Sequence, residues 1–386
     1  MNLIFANRHD ASDVTVRFFL IGSFALSLIK FRKDLIRSLI AKDIDVHVAV
    51  PIAAEDHWIL DELETMGATV HKLSMVRTGT NPFADLFALF ELWQLIGRVK
   101  PSHVLSYTIK PIVHGSLAAR LARVPNRFAL VTGRGYAFED NQRKFHIGGL
   151  AQWLYKVSLK YVAVVMFQNS DDEALFVSKG LISASTGTCV LNGSGVNLDE
   201  YPITPLPGDV SFLMIARLLG AKGIREFVSA ARKVRSGGHD AKFRVVGWID
   251  DNPDSVSGQE LEAWKSEGIV EFLGKQTDVR PSIASSSVYV LPSYREGTPR
   301  TVLEAMSMGR PVITTDAPGC RETVADGDNG FLVPVKSVDE LASAMLRFVE
   351  NPGLAENMGR RSREIAEERY DVHKVNKAML SVMGIE

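Results

Sequence analysis

YVLPSYREGTPRTVLEAMSMGRPVITTDAPG, residues 289–319, decides the fold. Its first apolar run ends at Leu291 and Pro292 and reads as a buried strand. A polar loop then carries Glu296, Gly297 and Thr298, a helix is expected over Thr301–Met308, and a second buried strand over Pro311–Thr314. Strand, helix and strand in so few residues form a parallel βαβ unit. Pro299 suits the helix start because its missing N–H costs nothing there. The first turn of such a helix presents unpaired N–H groups, those of Thr301 and Val302 among them, with the positive end of the helix dipole: an anion site. Glu304 follows beyond that end, where a vicinal diol such as a ribose can donate to it.

A second anion device lies upstream in MIARLLGAKGIREF (214–227). A strand ends, a short loop carries Arg217 and Lys222, and Gly223 opens a helix. Two cations converging on a helix N-terminus oppose the dipole and call for an anionic partner, and together they suit a departing diphosphate. The spacing is not that of a P-loop, and no GxGxxG follows the first strand.

Outward from these stretches, short apolar runs alternate with amphipathic segments along nearly the whole chain. The reading gives strands at Arg17–Ser23, Asp45–Val50, Thr69–Leu73, His103–Tyr107, Arg127–Val131 and Val162–Gln168. Helices are expected at Phe31–Lys42, Ala54–Met66, Pro82–Val99, Gly115–Ala122 and Gly148–Tyr161. The periodicity stops at LNGSGVNLDEYPITPLPGD (191–209), a linker signature, and then restarts. The expected organisation is a first Rossmann-like domain over 1–195 with an extension at 1–13, a linker at 196–209, a second such domain over 210–366, and a helix over 367–386 returning to the first. The fold class is α/β, two doubly wound parallel sheets facing a cleft. Ligands of such sheets bind beyond the carboxyl ends of the strands, which places the expected active site between the domains.

Composition limits the functions open to such a chain. Of 386 residues 46% are hydrophobic and 23% charged, and the net charge of −1 gives no reason to propose a nucleic-acid binder. Residues 1–170 hold 20 basic and 14 acidic side chains against 24 and 31 in 171–386, so the first half either faces something anionic or is basic by chance. Cys189 and Cys320 form no CxxC, which fits a reducing compartment. The longest apolar run, Phe18–Ile29, is too short to span a bilayer and reads as a buried strand with its loop. GGLAQWLYKVSLKYVAVVMF (148–167) reads either as an interfacial amphipathic helix or as a core helix followed by a buried strand. The carboxylate triplets Asp43-Ile-Asp45 and Asp326-Gly-Asp328 read as turns rather than as metal sites.

EGTPRTVLE, the RxxxxKG element from Arg217 to Gly223, and GCRETVADGDNGFLVP resemble the retaining family-four glycosyltransferases of the GT-B fold. SLIKFRKDLI, SYTIKPIVHGSLAARLA, ALVTGRGYAF and FQNSDD resemble the bacterial branch acting on undecaprenyl-diphosphate-linked sugars. The resemblance implies transfer of a sugar from a nucleotide sugar, a UDP-hexose or UDP-N-acetylhexosamine, with retention and without a metal or other cofactor. On that pattern Arg217 and Lys222 would bind the donor diphosphate, Glu296 the donor sugar and Glu304 the ribose. Gly223, Gly297, Thr298, Pro299, Thr301 and Val302 would present backbone to phosphate and sugar, and the turns at Gly247 and Leu273 would flank the nucleotide. Ser23 and Phe24 occupy the loop where relatives carry a glycine-rich turn, with Gly22 alone here. Lys110 and Arg134 would either hold an acceptor diphosphate or serve as ion-pair partners, and His114 would act as an acceptor-side base or pack.

The expected partners are a nucleotide-sugar donor, a lipid-linked saccharide acceptor and the inner face of the cytoplasmic membrane, bound peripherally from the cytoplasm. Alternatives are a nucleotide-sugar epimerase or hydrolase of the same architecture, or a non-catalytic sugar-binding component of a polysaccharide assembly complex.

Overall fold

Apolar runs without a polar face are stable only when covered on both sides, and here they build two sheets of parallel strands in a computed structural model that describes residues 16–53, 56–75, 81–133 and 145–386. The first sheet contains β1 (Arg17–Ile21), β2 (Asp45–Val50), β3 (Thr69–Lys72), β4 (His103–Tyr107), β5 (Asn126–Val131), β6 (Val164–Phe167) and β7 (Gly187–Val190), in the order β3-β2-β1-β4-β5-β6-β7. Its helices are α1 (Leu26–Ile40), α2 (His57–Thr65), α3 (Pro82–Val99), α4 (Ile109–Leu121), α5 (Phe145–Leu159) and α6 (Ser170–Ser178).

The second sheet contains β8 (Ser211–Ile215), β9 (Lys242–Val246), β10 (Val270–Phe272), β11 (Val288–Leu291), β12 (Val312–Thr315) and β13 (Gly330–Val333), in the order β10-β9-β8-β11-β12-β13. It carries α7 (Ile224–Ser236), α8 (Gly258–Glu267), α9 (Arg280–Ala284) and α10 (Arg300–Ser307), followed by α11 (Val338–Glu350), α12 (Gly353–Ile365) and α13 (Val372–Val382). The described residues group into two compact units, one running to Leu130 and taking in Val157–Ala163, the other formed by Val131–Lys156 and Val164–Glu386. Strand order reverses between β1 and β4 and again between β8 and β11, and a sheet of this kind opens a crevice at the carboxyl ends of its reversal point.

Several expected elements shift. Phe18–Ile29 is not one strand with its loop: β1 stops at Ile21, and α1 starts at Leu26 instead of Phe31, its buried face set by Leu28, Leu35, Ile36 and Leu39. Helix α4 begins at Ile109 rather than Gly115, with Pro111 in the first turn, where it has no hydrogen bond to lose. Residues 148–167 are a helix and then a strand: Tyr155 and Leu159 are buried, as are Val165, Met166 and Phe167. Helix α6 and strand β7 were not anticipated. The stretch Cys320–Val324 holds a single 3₁₀ turn, Arg321–Thr323, and α12 ends at Ile365 and widens into a π-helical turn, Ala366–Tyr370.

The stretch between the sheets is fastened by Arg310, which is fully buried and, among the described residues, has no carboxylate on its guanidinium. Its nitrogens donate to the carbonyls of Ile283 (3.1 Å), Met308 (2.8 Å), Thr204 (2.7 Å), Pro205 (3.0 Å) and Ala284 (3.0 Å), and to Thr204 Oγ1 at 2.8 Å. Burial pulls its pKa down to about 10. A lysine offers neither the planar fork nor enough donors for these acceptors, so Arg310→Lys should cost about 3 kcal/mol of unfolding free energy in urea titrations. A cost under about 1 kcal/mol would contradict this account.

Candidate active site

The reversal point of the second sheet is built by the loops that leave β8 and β11. After β8 the chain passes Arg217, turns once through Gly220–Lys222, and enters α7 at Gly223. Only glycine fits at 223, because its φ is +74° and a Cβ would run into the carbonyl of Pro292. That close approach lays one loop on the other, and the N–H of Tyr294 donates to the Ala221 carbonyl at 2.9 Å. Lys222 Nζ thereby reaches Glu296 Oε1 at 2.5 Å, and Ser293 Oγ donates to the same oxygen at 2.8 Å. Arg217 Nη1 meets Asp250 Oδ2 at 2.6 Å. Burial alone would raise the Asp250 carboxyl, but the Arg217 hydrogen bond, the Asn252 N–H and the Ser255 hydroxyl outweigh it and hold it below the ordinary carboxylate value.

The neighbouring loops close on the same end of the sheet. Gly247 donates its N–H to the Gly274 carbonyl at 2.9 Å, joining the turns at Gly247 and Leu273, and a side chain at 247 would strike the Ala216 carbonyl. Leu273 is half-buried. Gly297 lies against the Thr132 carbonyl and Gln168 Oε1, 2.7 Å from where a Cβ would stand. Thr298 Oγ1 donates to the Gln168 carbonyl at 2.9 Å, Asn169 Nδ2 donates to the Gly297 carbonyl at 2.8 Å, and Arg295 pairs with Asp172.

Pro299 is the N-cap of α10. The N–H of Val302 donates back to the Pro299 carbonyl at 3.0 Å, which corrects the expectation of an open donor there: the first turn closes on itself in 3₁₀ fashion. Thr301 Oγ1 accepts from the Tyr289 hydroxyl at 2.7 Å. Glu304 is buried on α10 and accepts from Arg300 Nε at 3.2 Å.

Four acceptor-side candidates sit at the reversal point of the first sheet. Ser23 is buried and Phe24 half-buried in the loop after β1, and Ser27 Oγ donates to the Phe24 carbonyl at 2.6 Å. The single glycine of that loop, Gly22, has a reason of its own, since a Cβ would stand on the Tyr107 hydroxyl. Lys110, at the start of α4, pairs with Asp85 of α3 at 2.8 Å. His114 is buried one turn further on, its Nε2 4.0 Å from the same carboxylate oxygen. Arg134 lies outside the described residues, as does the extension at 1–13.

Both carboxylate triplets are occupied by the chain itself. Asp45 holds Arg17 and His47, the Asp326 side chain accepts from the N–H of Leu332, and Asp328 holds Arg361. Among the described residues no three His, Cys, Asp or Glu side chains gather as metal ligands. The sequence reading missed Asp250, Ser293, Asn169 and Asp172. Asn169 followed by Ser-Asp-Asp is an N-cap with an acidic first turn, and its side chain does accept from the Asp172 N–H at 2.8 Å. That signal could have found both α6 and the residue touching Gly297.

Two parallel sheets of doubly wound order, the second with cations and a glycine-opened helix at its reversal point, define the GT-B class of glycosyltransferase fold. The family description "Glycosyl transferases group 1" matches residues 209–351 and "Glycosyl transferase 4-like" matches residues 22–169. The chain belongs to this glycosyltransferase family and is an enzyme of that class.

Among similar curated proteins is the N,N'-diacetylbacillosaminyl-diphospho-undecaprenol alpha-1,3-N-acetylgalactosaminyltransferase of Campylobacter jejuni, 29% identical over 355 residues, covering 88% of this chain and 91% of that one. The UDP-Gal:alpha-D-GlcNAc-diphosphoundecaprenol alpha-1,3-galactosyltransferase of Escherichia coli is 26% identical over 281 residues, 69% of this chain and 71% of its own. Anabaena HepE, solved with UDP and glucose, has the same fold at a TM-score of 0.75 and 18% identity, covering 96% of this chain and 99% of that one.

Burial, with the Lys110 ammonium, holds the His114 pKa below the ordinary histidine value, and Asp85 opposes the shift only in part. The fold therefore favours the neutral ring. The stability this contributes is present above about pH 6.5 and is lost as pH falls through the depressed folded value. His114→Gln should weaken the fall in urea midpoint between about pH 7 and pH 5, and an unchanged fall would show that the ring does not report on folding.

Proposed function

We propose that this enzyme transfers a hexosyl or N-acetylhexosaminyl group from a UDP sugar to a saccharide carried on undecaprenyl diphosphate, with retention of configuration. It does so without a metal, at the inner face of the cytoplasmic membrane. The observation that carries the reading is the Lys222–Glu296 pair at the β8/β11 reversal point, with Arg217 on the same loop. The names of the C. jejuni and E. coli relatives supply the acceptor class.

As the bond from sugar to nucleotide stretches, negative charge gathers on the departing diphosphate and positive charge on the ring. Groups already aimed at that phosphate lower the barrier most. Lys222 is a compact point charge and Arg217 a fork for two phosphate oxygens. In the free enzyme each is neutralised by a carboxylate, Glu296 and Asp250, so the incoming diphosphate takes over cations that are already positioned. Glu296, released from Lys222, accepts from donor-sugar hydroxyls. Glu304 receives the ribose diol, and the departing phosphate takes the acceptor proton on the face it leaves. In the first unit, Lys110 meets the acceptor diphosphate.

With a lipid-diphosphate saccharide as acceptor, a panel of UDP sugars should show UDP release that depends on the acceptor. Release without acceptor would favour a hydrolase, and none with any donor would favour a binding component. Lys222→Ala should lower turnover by about 10²–10³-fold with the thermal midpoint retained. Near-native turnover would remove Lys222 from the mechanism.

A further inference from the structure

Helix α3 is apolar on two sides. Its inner side, Ala88, Leu92, Leu95 and Ile96, is buried in the core of the first unit at the i, i+4, i+7, i+8 spacing of a packed helix. Its outer side carries Phe83, Leu86, Phe87, Phe90 and Trp93, with exposures of 82, 65, 58, 48 and 41%. Phe90 and Trp93 lie against each other with ring centroids 5.7 Å apart and planes tilted by 46°. A soluble helix normally turns polar residues outward, and an aromatic stripe of this length marks an interaction surface.

We infer that this outer side of α3 is a membrane-docking surface that lies in the headgroup layer of an anionic bilayer. Three observations select a bilayer over another occupant. The first is charge. Both acidic residues of α3 are engaged by neighbours, Asp85 by Lys110 and Glu91 by the Ser74 N–H (2.9 Å) and hydroxyl (3.3 Å), while the exposed charges at the helix end are the cations Arg98 and Lys100. An apolar face with aromatic anchors and basic ends suits anionic lipid.

The second observation is size. The stripe offers roughly 500 Å² of apolar side chain, below the about 800 Å² per partner that a stable protein pair buries. The third is place. Asp85, between Phe83 and Leu86 at the start of α3, holds Lys110 just beyond the carboxyl end of β4, so the stripe starts near the rim where the acceptor-side residues stand. The helix lies on the surface rather than crossing it, since no helix among the described residues is long and apolar enough to span a membrane. The inference rests on the lipid-linked acceptor of the proposed function and names the element that brings the enzyme to it.

The test is flotation of the full chain with vesicles of phosphatidylcholine, with and without phosphatidylglycerol. Alongside it, oligomeric state is measured in solution, and transfer is measured to a short-chain, water-soluble lipid-diphosphate saccharide. The wild type should float with the anionic vesicles. F83S/F87S/F90S should lose at least about tenfold in bound fraction, and Trp153→Ser on α5 should lose none, with transfer to the soluble acceptor unchanged in both. If the triple variant fails to fold by circular dichroism, Phe83→Ser alone, at the most exposed position, should still lower binding. Equal flotation of wild type and variants would overturn the inference. So would a wild-type dimer that the variants render monomeric without any vesicle binding, which would make the occupant a second copy. Absence of transfer by a wild type that still floats would sink the proposed function and leave the docking surface standing.

Discussion

Gly223 rests against the carbonyl of Pro292, and the candidate donor site depends on that approach. It sets the loop after β8 on the loop after β11 closely enough for an ammonium to sit on a carboxylate, both largely removed from solvent. Charges so placed interact through a medium much less polarisable than water, so their positions matter more than their number. The arrangement stores cations in the right place at little cost, because Glu296 and Asp250 neutralise them until a diphosphate offers better partners.

The rest of the second unit holds that geometry rigid through polar groups satisfied inside the fold. Tyr289 is buried in β11 yet its hydroxyl reaches Thr301 on α10 and the Ile215 carbonyl at the end of β8, tying the three elements that meet at the reversal point. Arg310 fastens the stretch between the sheets, and Asn169 fastens the glycine turn at 297. Each leaves no unpaired donor to be stabilised by local opening, which suits a site that acts by preorganisation. The first unit repeats the principle in a simpler form, with Gly22 flattened under the Tyr107 hydroxyl at its own reversal point.

Helices α3 and α5 show how one composition serves two ends. Both mix aromatic and aliphatic residues, and by sequence the segment with lysines around Trp153 and Tyr155 has the stronger claim to a membrane surface. In the fold Tyr155 and Leu159 of α5 are core residues. The unpartnered stripe belongs to α3, whose periodicity looks like that of an ordinary core helix until its inner side has been assigned.

Read from the chain alone, the βα alternation, the parallel sheets and the cation-bearing and Glu296 loops were all legible, because these depend on short-range periodicity and on the chemistry of glycine, proline and charge. Asp45–Val50, Pro82–Val99 and His103–Tyr107 fall where that periodicity places them. Elements α6 and β7 escaped it, since an acidic first turn and a largely exposed GTCV edge strand give little hydrophobic rhythm. Pairings across long separations were decided by tertiary structure alone: Arg217 with Asp250, Lys222 with Glu296, and Asn169 with the Gly297 carbonyl. A charge in a sequence announces that it needs a partner, but which group arrives is settled by strand order and by the few places where two backbones can touch.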